Sequence, residues 1–121
     1  MKRSLHLTPG EFELMEILWP LGEASVKEVW QKVDPSRGLA YTTVMTVLDK
    51  LHRKGVLNQR KKGKAYLYSP IIDRSRALHE ILDYLRNAFF QGSREDLIKF
   101  VNDHYALEPL AASPKKDDLP A

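Results

Sequence analysis

Residues 39–55, LAYTTVMTVLDKLHRKG, decide the fold. Val44, Val47, Leu48 and Leu51 stand at i, i+3, i+4 and i+7, the spacing of one buried helical face. Lys54 and Gly55 supply a cation for the last turn and a glycine for the left-handed cap position, so the helix is predicted to end near Lys54. With the apolar stripe turned inward, Thr42, Thr43, Thr46, Lys50 and Arg53 project outward along one line, with Met45 and Asp49 at its edges. Threonine costs helix propensity on an exposed position, and no packing benefit offsets it here. Contact with something outside the chain accounts for three threonines on that face.

Upstream, Thr8, Pro9 and Glu11 form a capping-box start, followed by the wide apolar stripe Phe12, Leu14, Met15, Ile17, Leu18 and Trp19. This first helix is predicted to end at Pro20, with Gly22 following. Ser25 and Glu28 repeat the capping signature before a short second helix carrying Val26, Val29, Trp30 and Val33, which Asp34-Pro35 stops. Both tryptophans, set among valine and leucine, are expected in the core. Downstream, VLNQRKKGKAYLYSP reads as a two-stranded hairpin turning at Gly63.

Three short helices and a hairpin, with the third helix polar outside, are the order of a winged helix-turn-helix, mainly α with a small β-hairpin. In that arrangement the outer line of the third helix enters the major groove of double-stranded DNA. Thr42, Thr43 and Thr46 are the candidate base-reading residues, because a threonine hydroxyl meets base edges or phosphates while its methyl meets thymine methyls. Tyr41, Lys50, Arg53, Arg60, Lys61, Lys62 and Lys64 are the candidate phosphate contacts. No acidic residue lies between Lys50 and Lys64, so positive charge collects on the third helix and the wing although the whole chain carries only +3. Such a run releases counterions from several phosphates and makes affinity depend on salt. Lys54 belongs to the same run, and His52 is a further candidate phosphate donor.

Past the hairpin, Pro70 and Asp73 introduce a long helix with the stripe Leu78, Ile81, Leu82, Leu85 and Phe89. After Gln91-Gly92, Ser93 caps a fifth helix bearing Leu97, Phe100, Val101 and Tyr105. A winged helix closes its own core, so these stripes are assigned to a homodimer interface, formed by Leu78, Ile81, Leu82, Leu85, Phe89, Leu97, Phe100 and Val101, with Tyr84 and Phe90 adding aromatic area. A symmetric dimer presents two reading helices to a palindromic site. The resulting division is a DNA-binding domain over 5–71, a helical dimerisation region over 72–106 and a disordered tail over 107–121, whose sequence LEPLAASPKKDDLPA starts at Leu107 and has no period.

Other classes are excluded by what is missing. The chain has no cysteine, hence no disulfide, thiolate metal site, iron–sulfur cluster or cysteine nucleophile. No apolar run approaches the roughly 18 residues that span a bilayer, and MKRSLHLTPGEFE lacks the apolar core of a signal peptide, so a cytoplasmic protein without a membrane partner is expected. HExxH, a phosphate-binding glycine loop and a nucleophile elbow are all absent; no enzymatic activity and no cofactor are expected. His79, Glu80 and Asp83 read as a solvated helix face rather than a metal site.

The order LTPGEFELMEILW, LAYTTVMTVLDKLHRKGVL and GKAYLYSP resembles the penicillinase-repressor family of bacterial winged-helix repressors, the BlaI/MecI/CopY type, over about residues 5–105. AYTTVMTVLDKL carries most of the resemblance. It implies an operator-binding N-terminal winged helix, C-terminal helices that form the homodimer, and repression of an adjacent resistance or copper-handling operon; the function expected of this chain is repression of a resistance or stress operon from an inverted repeat. Thr43 and Thr46 match the family's recurrent recognition-helix threonines, Thr42 and Met45 occupy positions that vary, and Tyr41 stands at the helix start. Copper-responsive members carry a C-terminal cysteine motif that this chain lacks. Members released by a sensor protease are cut at an Asn-Phe step, whereas LIKFVNDHY here places Phe100 after Lys99, which leaves a sensor protease as a partner by resemblance alone. Two other readings stand beside this one: a ligand-responsive regulator of the MarR or PadR type, and a winged helix used as a protein-interaction module.

Overall fold

The computed structural model describes residues 5–105. In chain order it contains α1 (Pro9–Leu21), β1 (Ala24–Ser25), α2 (Val26–Lys32), a 3-10 turn (Pro35–Arg37), α3 (Tyr41–Lys54), β2 (Leu57–Lys62), β3 (Ala65–Pro70), α4 (Arg74–Phe89) and α5 (Arg94–His104). The chain forms two compact units, Met1–Tyr84 and Leu85–Ala121. The pattern of the sequence places a boundary after residue 71, whereas the two units meet inside α4, whose Ala77 is fully buried in the core of the first. The tail expected over 107–121 lies outside the described residues.

Both capping boxes form. The Thr8 hydroxyl accepts from the Glu11 N–H at 3.2 Å while the Glu11 carboxylate accepts from the Thr8 N–H at 2.9 Å, and Ser25 and Glu28 repeat the pair at the same distances. α1 continues through Pro20 to Leu21, one residue beyond the predicted end. Proline's fixed φ is helical and fits the last turn; Gly22, at φ 78°, turns the chain away and donates its N–H to the Leu18 carbonyl. α3 ends as its sequence requires, with Gly55 in the left-handed region at φ 92°.

The core of the first unit joins Leu14, Met15 and Leu18 of α1, Val29 of α2 and Val44, Leu48 and Leu51 of α3 to Val56, Leu57 and Tyr68 of the sheet region. Val47 is half-buried at its edge. The sheet has three antiparallel strands in the order β1-β3-β2, with Ala24 opposite Tyr68 and Ser25 opposite Leu67. A two-residue strand has no periodicity to read, and the hairpin alone was legible. Trp19 is half-buried and donates its indole N–H to the Ile72 carbonyl at 2.9 Å. Trp30 departs from the core expectation: it is 39% exposed.

In the second unit, Gly92 donates its N–H to the Arg86 carbonyl and closes the end of α4. Ser93 then caps α5 through the Asp96 N–H, and the Phe90 and Phe100 rings meet at 5.8 Å.

Candidate nucleic-acid interface

α3 presents Thr42, Thr43, Thr46 and Lys50 on its exposed side, while Val44, Leu48 and Leu51 anchor the opposite side in the core. Among the described residues, no side-chain hydrogen bond engages those threonine hydroxyls, so they remain available to a ligand. The start of α3 differs from the starts of α1, α2 and α5. Ala40 provides no side-chain cap, and the first turn has no acidic residue. Thr43 donates its N–H to the Ala40 carbonyl, which leaves the N–H groups of Tyr41 and Thr42 and the helix dipole for an anion.

The cations of the run sort into two groups. Lys54 is a structural residue: its ammonium donates to the Glu11 carboxylate at 2.7 Å and to the His6 carbonyl at 3.0 Å, so it is withdrawn from the candidate phosphate contacts. Burial acts to raise the Glu11 carboxyl, but the Lys54 hydrogen bond, the Thr8 N–H and the charges of Lys54 and Lys50 outweigh it and hold the group below its ordinary range. His52 likewise turns inward, its Nδ1 lying 3.0 Å from the Leu57 carbonyl. Arg60 makes a two-pronged contact with Glu23, Nε and Nη2 at 2.7 and 2.8 Å. Each partner stabilises the other's charged form, lowering the Glu23 pKa and raising that of Arg60. Arg53 pairs with Asp49 one turn back on α3 at 2.8 Å. Both arginines thus have an acid of the chain itself beside them and remain exposed. By contrast, Lys50, Lys61, Lys62 and Lys64 are exposed and make no ion pair among the described residues.

The wing's register separates its residues by face. Lys61 stands opposite Tyr66 and Gln59 opposite Tyr68, whereas Arg60 stands opposite Leu67 and Lys62 opposite Ala65. Strand alternation therefore puts Lys61 and Tyr66 on the face that carries buried Tyr68 nearer the base, with Arg60 and Lys62 on the reverse. Tyr66, 47% exposed, was missed from sequence. The alternation in AYLY contains the signal, because Tyr66 and Tyr68 must share a face. Tyr41, at the head of α3, is exposed and meets the Trp30 ring edge-on.

The candidate dimer residues form no closed core within their own units. Leu78 and Leu82 in the first unit, and Phe89, Phe100 and Val101 in the second, are exposed; Ile81, Leu85 and Leu97 are half-buried. The possible metal ligands on α4 reduce to His79 and Asp83, 3.3 Å apart, and no group of three His, Cys, Asp or Glu able to hold a metal exists among the described residues. No described helix is long and apolar enough to cross a membrane.

Residues 7–111 match the profile of a family described as Penicillinase repressor. The Transcriptional regulator BlaI of Mycobacterium tuberculosis is 36% identical over 104 residues, covering 84% of this chain and 75% of its own. The Penicillinase repressor of Bacillus licheniformis is 26% identical over 98 residues, 81% of this chain and 77% of its own. The solution structure of the DNA-binding domain of the repressor BlaI superposes with a TM-score of 0.54 at 31% identity, over 62% of this chain and 92% of that one. Monomeric B. licheniformis BlaI, solved in complex with the blaP half-operator, matches with a TM-score of 0.51 and the same identity and coverage. The three-helix unit with its three-stranded sheet is a winged helix, and the chain belongs to the penicillinase repressor family of transcriptional repressors.

Proposed function

We propose that this protein binds an inverted-repeat operator as a homodimer and blocks transcription from the promoter it covers. The observation that carries the proposal is the outer face of α3: three exposed threonines with unengaged hydroxyls beside unpaired Lys50, on a helix whose start has no cap. In this reading Thr42, Thr43 and Thr46 meet base edges in the major groove, while Tyr41, Lys50, Lys61, Lys62 and Lys64 meet phosphates. Arg53 and Arg60 contribute only by exchanging an internal carboxylate for a phosphate. The half-operator complex of B. licheniformis BlaI supports DNA as the ligand. The exposed apolar residues of α4 and α5 support pairing with a second copy.

The test is a titration of the full chain against labelled DNA from upstream of its own gene, with scrambled DNA as competitor, at two salt concentrations. Saturable binding that survives the competitor is expected. Equal displacement by any DNA would overturn operator recognition and leave a general polyanion surface.

A further inference from the structure

The indole of Trp30 lies at the corner between α2 and α3, where core packing does not account for it. It is 39% exposed and borders an open cleft of about 380 Å³ that Val33, Pro35 and Leu39 also line. Two specific contacts fix it instead. Its N–H donates to the Leu39 carbonyl at 3.0 Å, and its ring meets that of Tyr41 edge-on, with centroids 5.9 Å apart and planes at 78°. The first contact ties down the segment entering α3, and the second holds the first side chain of α3. Nothing on Ala40 does that work, since it has no capping side chain.

We infer that Trp30 is a positioning residue for DNA binding: it fixes Tyr41 and the open start of α3 where they meet a phosphate. The inference rests on the DNA-binding reading above and goes beyond it by assigning a role to a residue of α2. In a helix-turn-helix the helix before the reading helix crosses the DNA backbone, and the first residues of the reading helix meet the groove. The Trp30–Tyr41 pair joins those two parts. Without the indole, the segment 39–41 must be ordered by DNA itself, and the entropy of ordering is taken from affinity.

The experiment compares the full chain with Trp30→Ala, Trp30→Phe, Tyr41→Ala and the double variant Trp30→Ala with Tyr41→Ala. Each is titrated with a random-sequence duplex and with DNA from upstream of the gene over a range of salt, alongside thermal melting. Trp30→Ala is expected to bind about tenfold more weakly with a salt slope smaller by about one, the loss of one phosphate contact. Trp30→Phe, which retains an aromatic edge but no N–H, falls between. The double variant is expected to lose less than the sum of the two single losses, because the part of the Trp30 effect that passes through Tyr41 is already gone in Tyr41→Ala. An unchanged slope with additive losses would overturn the inference and leave Trp30 a residue of the fold only. Should Trp30→Ala fail to fold, Trp30→Phe decides: wild-type affinity and slope would overturn the inference as well. A wild type that binds both DNAs equally removes operator choice and leaves the Trp30 test standing, whereas a wild type that binds neither overturns both readings.

Discussion

The Lys54 ammonium lies 2.7 Å from the Glu11 carboxylate and joins the last residue of α3 to the first turn of α1. Glu11 is 3% exposed, and its second oxygen, Oε2, has no hydrogen-bond partner, so the pair is the most heavily desolvated charge interaction described in the first unit. Removing Lys54 strands the Glu11 carboxylate. Lys54→Met is expected to cost about 3 kcal/mol, within the range for breaking a buried pair, read from denaturant unfolding. Glu11→Gln is expected to cost less, because Lys54 can turn its ammonium to water.

The same pair fixes a pH dependence. The folded-state pKa of Glu11 lies below its ordinary value of 4.5, so its stabilisation is complete above that value and is lost as pH falls through the depressed folded pKa. In Lys54→Met burial is opposed only by the Thr8 N–H and the Lys50 charge, so the folded pKa of Glu11 moves up from its wild-type position and the stability it adds at neutral pH shrinks. Unfolding curves of the two proteins between about pH 3 and pH 7 measure the difference; parallel profiles would show that Lys54 does not control Glu11.

Sorting the cations predicts which alanine variants alter DNA binding. Lys50→Ala and Lys62→Ala are each expected to weaken all duplexes similarly and lower the salt slope by about one. Arg60→Ala is expected to leave the slope unchanged, because Glu23 already neutralises that guanidinium. A fall in slope for Arg60→Ala would mean that DNA displaces Glu23.

Base reading separates from phosphate holding in Thr46→Ala. Discrimination between the operator and an altered operator is expected to drop by about 1–3 kcal/mol, while the salt slope stays at its wild-type value. Competition titrations at fixed salt measure it, and unchanged discrimination removes Thr46 from the reading set.

Leu82, 52% exposed on α4, is the test of self-association. Leu82→Asp is expected to give monomers in sedimentation without lowering the melting temperature of the first unit. An unaltered mass would place the interface on other residues.

Periodic features were legible in the sequence because burial imposes them directly. The stripe Val44, Leu48 and Leu51, the two capping boxes and the glycine at 55 each follow from a local rule, and each stands where that rule puts it. What stayed hidden depends on partners distant in sequence. The cation run KLHRKGVLNQRKKGK is uninterrupted by acids along the chain, yet Lys54 meets Glu11 and Arg60 meets Glu23 across it in space. Trp30 read as core by its helical spacing, but α2 has only seven residues and its buried side is already filled by Val26 and Val29, with Val33 buried just past its end. β1 was invisible because two residues pair only once β3 offers an edge.

Ala77 is the last fully buried side chain along the described chain. Substitutions at the exposed positions beyond it, such as Leu82 and Phe89, remove no buried side chain and answer instead to whatever those surfaces touch. In the proposed homodimer, mutational drift there alters the choice of partner while the reading head keeps its shape, so two diverging copies of the gene would cease to pair with each other before either changed the DNA it recognises.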